Sequence, residues 1–479
     1  MADDLTVKTR LALPKGRMLK DTAEFLASAG VPFDGYNSST RIYRLQSTSM
    51  PLLTAKMLNE RDIPVQVAIG NYDFGICTSD WLQELQVRYP ASRVFKLADL
   101  GYDSSGIFLA CSSRSSISTS SLASGNRTWR IVSEYPALAE ATAIKMRLKR
   151  FRVFPVWGSS EAYPSENADF AVLRARDESA LRILGLKALK KICDSDACFI
   201  ANTDGYQAGE FSGLLARINR GRKRNRAIAI PASSTVKETE MPRPLKSGKE
   251  GVWLALADGH QQVFTAAFLE KAGLKFKGYS GSSLTRRPES GLDWLNLKVI
   301  RPQDMPQQVA NGNFDLAITG RDWMLDHLYQ FPSSPVVELV NLGFGWVRVV
   351  AVVSQDLPAD SMEEVQAIIR GGKLTPLRVA TEYVNIADKY MRDKHIARYR
   401  VIPTWGATEV YLPEDADMLI ENTETGKTLA RHNLKIVDTL FESTACLIGN
   451  CRSLETPGKG SYIRKLARIF REAAEGKCN

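Results

Sequence analysis

Three blocks of this 479-residue chain occur twice, in the same order and at nearly the same separation. FLASAGVPFDGY at 25–36 returns as FLEKAGLKFKGY at 268–279, 243 residues later. DIPVQVAIGNYDFGICTSDWL at 62–82 returns as DMPQQVANGNFDLAITGRDWM at 304–324, 242 later. VFPVWGSSEAY at 153–163 returns as VIPTWGATEVY at 401–411, 248 later. Chance does not keep order and spacing in this way, so the chain carries one fold twice. The repeat leaves open whether both copies work.

The copies divide at about 1–220 and 251–479. Between them 221–250 is expected to be a linker, because PASSTVKETEMPRPLKSGK has no hydrophobic period. The run RINRGRKRNR at 217–226 reads as a solvated helix end entering that linker. Its rival, a nucleic-acid arm, lacks interleaved aromatics or a recognised binding module. Within copy one, SSRSSISTSSLASGNR at 112–127 is polar and low in complexity, where 355–374 of copy two holds the helix-like MEEVQAIIRGG.

Each copy alternates short apolar strands (LALP, FGICT; WLALA, LAITG) with amphipathic helices at 18–29 and 263–272. That alternation implies parallel or mixed sheets covered by helices. Asp80 and Asp322 follow strands and read as helix N-caps. RVVAVVS at 348–354 is expected to cross into a second lobe, and the chain to return after Thr439. A cleft between the lobes is then the default ligand site. No signal peptide or run of about 18 apolar residues is evident, so the expected location is the cytoplasm, with no membrane span. Seven cysteines form no tight framework, which suits reduced thiols, and Cys193/Cys198 and Cys446/Cys451 are spaced wrongly for a zinc knuckle. The net charge of +10 suits polyanionic substrates.

The most informative local motif is ENTETGKTL at 421–429, between the apolar strand 416–420 and a helical segment. Strand, Thr/Gly turn and helix start can make a phosphate cradle, with backbone N–H groups facing the anion. Gly426 permits close backbone approach, Thr425 and Thr428 add hydroxyls, and the acidic residues suit ribose hydroxyls. An ordinary Thr/Gly loop is the alternative. The nucleotide-binding P-loop is excluded, since position 421 is Glu where that motif needs Gly.

The segment ADMLIENTETGKTLARHNL at 416–434 resembles the phosphoribosyl-pyrophosphate loop of ATP phosphoribosyltransferases. RPQDMPQQVANGNFDLAITGRD at 301–322, LGFGWVR at 342–348 and LALPKGRML at 11–19 are similar to further motifs of that family. The resemblance implies an α/β tandem duplication of a two-lobed, type II periplasmic-binding-protein-like fold, four lobes in all. It implies attack by N1 of ATP on ribose C1 of 5-phosphoribosyl 1-pyrophosphate, with Mg²⁺ on the pyrophosphate. It assigns the phosphoribosyl substrate to Glu421, Glu424, Thr425, Gly426, Lys427, Thr428 and Leu429. It assigns ATP to Lys15, Gly16, Arg17, Thr319, Gly320, Gly343, Phe344, Arg348 and Glu409, and the chemistry to Arg301, Lys15 and Arg17. Each copy resembles the short form of the family, which works with a regulatory subunit. Only one amphipathic helix, 462–474, follows the Cys446–Cys451 segment, so the regulatory domain of the long form is not expected.

The two copies have lost complementary parts of this pattern. Lys15-Gly16-Arg17 faces Asp258-Gly259-His260; Arg301 faces Asn59 or Glu60; Ile318-Thr319-Gly320 faces Cys77-Thr78-Ser79. Glu424-Thr425-Gly426-Lys427-Thr428 faces Arg176-Asp177-Glu178-Ser179-Ala180. A glutamate in place of Gly426 puts negative charge where a phosphate would lie. These losses lead to an internal pseudo-dimer with one composite site, copy two giving the cradle, Arg301 and Arg348, and copy one giving Lys15 and Arg17. In the alternative, copy one is scaffold, Lys15 and Arg17 form a solvated turn, and Arg301 pairs with Asp304. Arg41 and Arg286 align loosely and could also face the cleft, with a solvated role as the alternative. Further homo-oligomerisation is compatible with this reading. A phosphoribosyl transfer to another base, an inactive regulatory homologue and a solute-binding protein are the rival functions.

Overall fold

The computed structural model describes residues 8–37, 42–118, 122, 127–206, 211–228, 251–283 and 285–476. Arg41 and most of the segment between the copies lie outside the described residues.

Copy one builds two sheets. The first orders its strands Arg44–Gln46, Leu53–Leu58, Thr9–Pro14, Phe74–Thr78, Ala197–Asn202 and Val94–Asp99. The second orders Leu186–Ser195, Ser105–Ser112, Phe170–Ala175, Trp129–Ser133 and Phe151–Pro155. Copy two repeats both. Its first sheet runs Leu295–Ile300, Val252–Ala257, Leu316–Gly320, Ala445–Asn450, Val336–Asn341. Its second runs Tyr399–Pro403, Leu377–Thr381, Met418–Thr423, Val347–Ser354, Leu434–Ser443. The duplicated two-lobed α/β fold expected from the repeat is present.

The central strands are apolar throughout because both faces are covered. Leu11, Ala12 and Leu13 have no exposed surface, nor do Leu254, Ala255 and Leu256. The neighbouring parallel strands and the helices Leu19–Ala29 and His260–Lys271 enclose them.

The chain passes between lobes twice in each copy. In copy two it leaves the first lobe after Asn341 and enters the second at Val347, as RVVAVVS suggested. The return comes at Thr444, later than expected, because Leu434–Ser443 stays paired with Val347–Ser354 for its whole length. Thr444 Oγ1 donates to Asn341 Oδ1 at 2.9 Å, so the two crossing segments are tied together.

The chain forms two compact units that do not follow chain order. Segment 155–168 of copy one belongs to the unit built on copy two, and segment 405–410 of copy two to the unit built on copy one. In the copy-two unit, Trp157 N–H donates to Asp304, and Asn167 Nδ2 to Asn313 O at 2.5 Å. Glu166 there pairs with Lys298 at 3.1 Å and Arg287 at 3.2 Å. Burial works to raise the Glu166 carboxyl, but the two cations outweigh it and hold it below the usual range. In the copy-one unit, Arg61 lies between the rings of Trp81 and Trp405, 4.9 and 4.2 Å from their centroids.

Other expectations change in detail. Helix Ser212–Ile228 runs through Gly221, so regular structure continues past the expected start of the linker. Arg217 and Arg222 in it donate to Gly30 O and Asp99 O, which anchors part of the basic run. Asp80 and Asp322 are not caps. Thr78 and Gly320 cap those helices, and each aspartate is the second helical residue, its carboxylate turned inward. Helix Met362–Arg370 confirms MEEVQAIIRGG; much of its polar counterpart at 112–127 lies outside the described residues. The six described cysteines are free, with Cys77 and Cys198 Sγ atoms 3.9 Å apart across paired strands.

Candidate active site

The ENTETGKTL segment is the strand Met418–Thr423, a turn and the short helix Lys427–Arg431. Gly426 caps the helix at φ 72, and a Cβ there would meet no atom within 4 Å. Glycine is therefore required by the left-handed backbone rather than by crowding. Gly426 N–H donates to Thr423 Oγ1 at 2.9 Å. Among the described residues no side chain caps the helix, and Glu424, Thr425, Lys427 and Thr428 are exposed at its start. Leu429 is 4% exposed and anchors the turn from inside, so its place in the motif is packing rather than ligand contact.

In copy one the same turn is occupied by its own chain. Asp177, the counterpart of Thr425, accepts Ala180 N–H at 2.9 Å and the Ser179 hydroxyl. The Ser179 hydroxyl, then the Ala180 N–H, hold that carboxyl below the ordinary range. Glu178 is the first residue of the helix. The charge that fills the copy-one turn is thus that of Asp177, not of the glutamate replacing Gly426.

Behind the cradle, copy two links its lobes through polar side chains. Tyr383 Oη donates to Asp322 Oδ2 at 2.6 Å and accepts from Asn422 Nδ2 at 2.6 Å. Ser443 Oγ lies 3.2 Å from Asp322 Oδ1 and also accepts Asp322 N–H. Burial pushes the Asp322 carboxyl up, against the Tyr383 bond, and pushes the Tyr383 phenol far above its usual value. A Cβ at Gly320 would lie 2.1 Å from Asp322 Oδ1, so a side chain there would displace that carboxylate. Arg348 pairs across the sheet with Thr423, at the start of the cradle, and its buried Nε has no hydrogen-bond partner among the described residues.

Strand register equates Asn422 with Arg174 and Arg348 with Gly106. It also equates Gly320 with Thr78, one residue away from the sequence match to Ser79. Arg174 places Nη2 3.0 Å from Asp103 Oδ2 and Nε 3.6 Å from Asp80 Oδ2. Arg17 then pairs with Asp103 at 2.6 Å and with Glu60 at 2.7 Å. Asp103 holds φ 57 where copy two has Gly345 at φ 64. The copy-one cleft is therefore closed by a five-residue ionic network of its own chain. Arg17, expected to serve substrate, is bonded to carboxylates of its own copy.

The remaining expected residues are divided between the units. Lys15 Nζ lies 6.0 Å from the Tyr43 ring in the copy-one unit. Burial, with Glu409 from the exchanged segment, raises the Tyr43 phenol. Lys15 and Glu409 thus come together around Tyr43. Gly16 adopts φ 75 with open space around it. In the copy-two unit Asp258 holds Arg286 at 2.7 Å and Arg301 at 3.5 Å, and Glu161 lies 3.5 Å from Arg286. Arg301 pairs with Asp258 rather than Asp304, whose carboxylate accepts Trp157 N–H. Thr319 is buried and donates to Pro302 O at 2.9 Å. Gly343 accommodates φ 72 at the lobe crossing. Phe344 packs on Phe268 at 5.2 Å and on the first-lobe core. It supports the crossing segment.

Sequence reasoning did not single out Asp258, Tyr383 or Asn422, and offered Arg286 only as a residue that could face the cleft. Asn422 had a signal, since it lies inside the cradle motif opposite an arginine. Tyr383 had none.

The ATP phosphoribosyltransferase family model matches residues 59–220 and again 301–472. The two matches begin at Asn59 and Arg301, which follow equivalent strands. The ATP phosphoribosyltransferase of Chlorobaculum parvum is 35% identical over 231 residues, 47% of this chain and 72% of that protein. That of Prosthecochloris aestuarii is 33% identical over 240 residues, 49% and 76% respectively. The solved ATP phosphoribosyl transferase (HisG:HisZ) complex from Thermotoga maritima aligns with 47% of this chain and 99% of that chain. Its identity is 22% and its TM-score 0.38. Two family matches at equivalent positions, and relatives above 30% identity over most of their length, place this chain in the ATP phosphoribosyltransferase family.

Proposed function

We propose that the chain transfers the phosphoribosyl group of 5-phosphoribosyl 1-pyrophosphate to N1 of ATP, releasing pyrophosphate, the first step of histidine biosynthesis. It does so with one working phosphoribosyl cradle per chain, that of copy two. The supporting observation is the contrast between two equivalent turns. The copy-two turn is uncapped and adjoins the buried Arg348 Nε, whereas Asp177 caps the copy-one turn and Arg174 stands in its cleft.

In this reading the first-turn N–H groups, Thr425, Thr428 and Lys427 hold the 5′-phosphate. Glu421 and Glu424 accept from the ribose hydroxyls. Arg348 and Arg301 balance the leaving pyrophosphate, whose charge must be met as the C1–O bond lengthens. Among the described residues no group of three or more His, Cys, Asp or Glu could hold a metal ion. In the same reading Mg²⁺ comes with the pyrophosphate substrate, where it would lower the charge of the leaving group.

Thr319, Gly320, Gly343, Lys15, Gly16 and Glu409 are proposed for ATP, and Arg17 serves only if its ion pairs open. A cytoplasmic location, a regulatory subunit and further self-association belong to the same proposal. Among the described residues no helix is long and apolar enough to cross a membrane.

The test is to incubate the protein with ATP, phosphoribosyl pyrophosphate and Mg²⁺ and to follow the phosphoribosyl-ATP product. Binding of phosphoribosyl pyrophosphate at one per chain, with product formed, is expected. Binding without product would favour an inactive homologue, and two bound per chain would end the asymmetric reading.

A further inference from the structure

The first lobe of copy two carries a second cationic feature, distinct from the cradle on the second lobe. A groove of about 630 Å³ lies between the helix Lys459–Ala474, the helix Cys451–Glu455 and the strand Val336–Asn341. Its lining includes Leu339, Leu454 and Ala467 on the apolar side, and Arg464, Lys465, Arg468 and Arg471 on the other. None of these four cations forms an ion pair among the described residues. Two are aimed by carbonyls: Arg464 Nη1 lies 3.3 Å from Leu454 O, and Arg471 Nη2 3.3 Å from Leu339 O. Four like charges on two turns of one helix repel; carbonyl hydrogen bonds hold Arg464 and Arg471, and an anion would relieve the repulsion that remains.

The duplication supplies an internal control. In copy one the equivalent helix is Ser212–Ile228, aligned by the buried pairs Leu214 with Leu466 and Ile218 with Phe470. Where copy two has Arg464, Lys465, Arg468 and Arg471, copy one has Ser212, Gly213, Ala216 and Asn219. Both helices bury the corresponding face in the first-lobe core of their own copy, so burial of that face does not demand the charges. They belong to copy two alone.

We infer that this groove binds a small organic polyphosphate, an apolar or aromatic body resting on Leu339, Leu454 and Ala467 with its phosphates among the four cations. The volume falls in the range of small-molecule sites, about 300–1,000 Å³. Arginine forks suit phosphate oxygens. The inference stands apart from the transfer reaction, since the groove shares no residue with the proposed active site.

Isothermal titration of the full chain with ADP at low ionic strength tests it. A Lys427→Ala background weakens the cradle, and Arg464→Ser with Arg468→Ala imports the residues of copy one into the groove. The groove variant is expected to lose a binding event at least 10-fold, with an unchanged melting temperature, while Lys427→Ala retains that event. ADP is expected to bind more tightly than inorganic pyrophosphate. An unchanged isotherm in the groove variant overturns the inference. So does equal affinity for ADP and pyrophosphate, which leaves the apolar floor without a role. Binding of polyglutamate in place of ADP would assign the groove to an acidic protein partner and also overturn it.

Discussion

Tyr383 joins the two lobes of copy two by donating its hydroxyl to Asp322 Oδ2 at 2.6 Å, and the same oxygen receives Asn422 Nδ2 from the cradle strand. Asp322 opens a first-lobe helix, whereas Tyr383 and Asn422 belong to the second lobe. A displacement at the lobe boundary is therefore transmitted to the phosphoribosyl loop through two hydrogen bonds. Tyr383→Phe removes both and is expected to cost about 1–3 kcal/mol of stability, the range for leaving buried polar groups unsatisfied. The KM for phosphoribosyl pyrophosphate should rise more than the KM for ATP. Equal changes in both would mean a structural role only.

Asn422→Arg imports the copy-one residue into the cradle strand. Its guanidinium would reach toward Asp322 as Arg174 does toward Asp80. Phosphoribosyl pyrophosphate binding should fall at least 100-fold in equilibrium titration, with a smaller change in melting temperature. Retained binding would show that Arg174 is not what closes the copy-one cleft.

Gly426→Ala isolates the backbone requirement. No atom stands in the way of a Cβ, so the left-handed φ alone resists, at about 1–2 kcal/mol. Gly426→Glu adds a negative charge to the same strain and is expected to abolish phosphoribosyl pyrophosphate binding, where Gly426→Ala only weakens it. Similar affinities for the two variants would place the phosphate elsewhere.

Arg17→Ala separates a structural from a catalytic role. The variant leaves Glu60 and Asp103 without that cation. Burial already raises the Glu60 carboxyl, and Arg17 opposes the rise. Without Arg17 the folded pKa climbs further above the unfolded one. Such a group supports folding below its unfolded pKa and loses that support as pH rises through its folded pKa. The stability deficit of Arg17→Ala should therefore be larger at pH 8 than at pH 5, on the order of 1–3 kcal/mol at the upper end. A loss of kcat with no pH-dependent stability deficit would return Arg17 to the substrate.

His327 gives a pH effect of opposite sense. Burial lowers its pKa to about 4, and its Nε2 contacts Ser334 Oγ at 2.8 Å. The unfolded chain binds this proton below about pH 6.5, while the folded chain does not until about pH 4. Stability from the neutral ring is complete above 6.5 and falls as pH drops toward 4. His327→Gln should flatten that part of the denaturation profile measured between pH 4 and 7. A profile with the same slope would assign the acid sensitivity to other groups.

The repeated blocks alone determined the duplication, and short apolar runs and turn residues determined the alternation of strands and helices and the strand–turn–helix motif at 421–429. These depend on local pattern: apolar period, turn residues and a helix start within a dozen positions. Tertiary structure decided what the motif could not carry. Asp322 reads as a cap in sequence, yet the inward turn of its carboxylate, toward a tyrosine 61 positions later, makes it a link between lobes. Arg17 reads as substrate-binding, yet Glu60 and Asp103 are brought to it from 43 and 86 positions away. Likewise, only the fold moves Glu409 beside Tyr43 and Glu161 beside Arg286, by exchanging segments between units. Charge partners are chosen by distance in space, where a few ångströms decide an ion pair, and linear spacing carries no record of that choice.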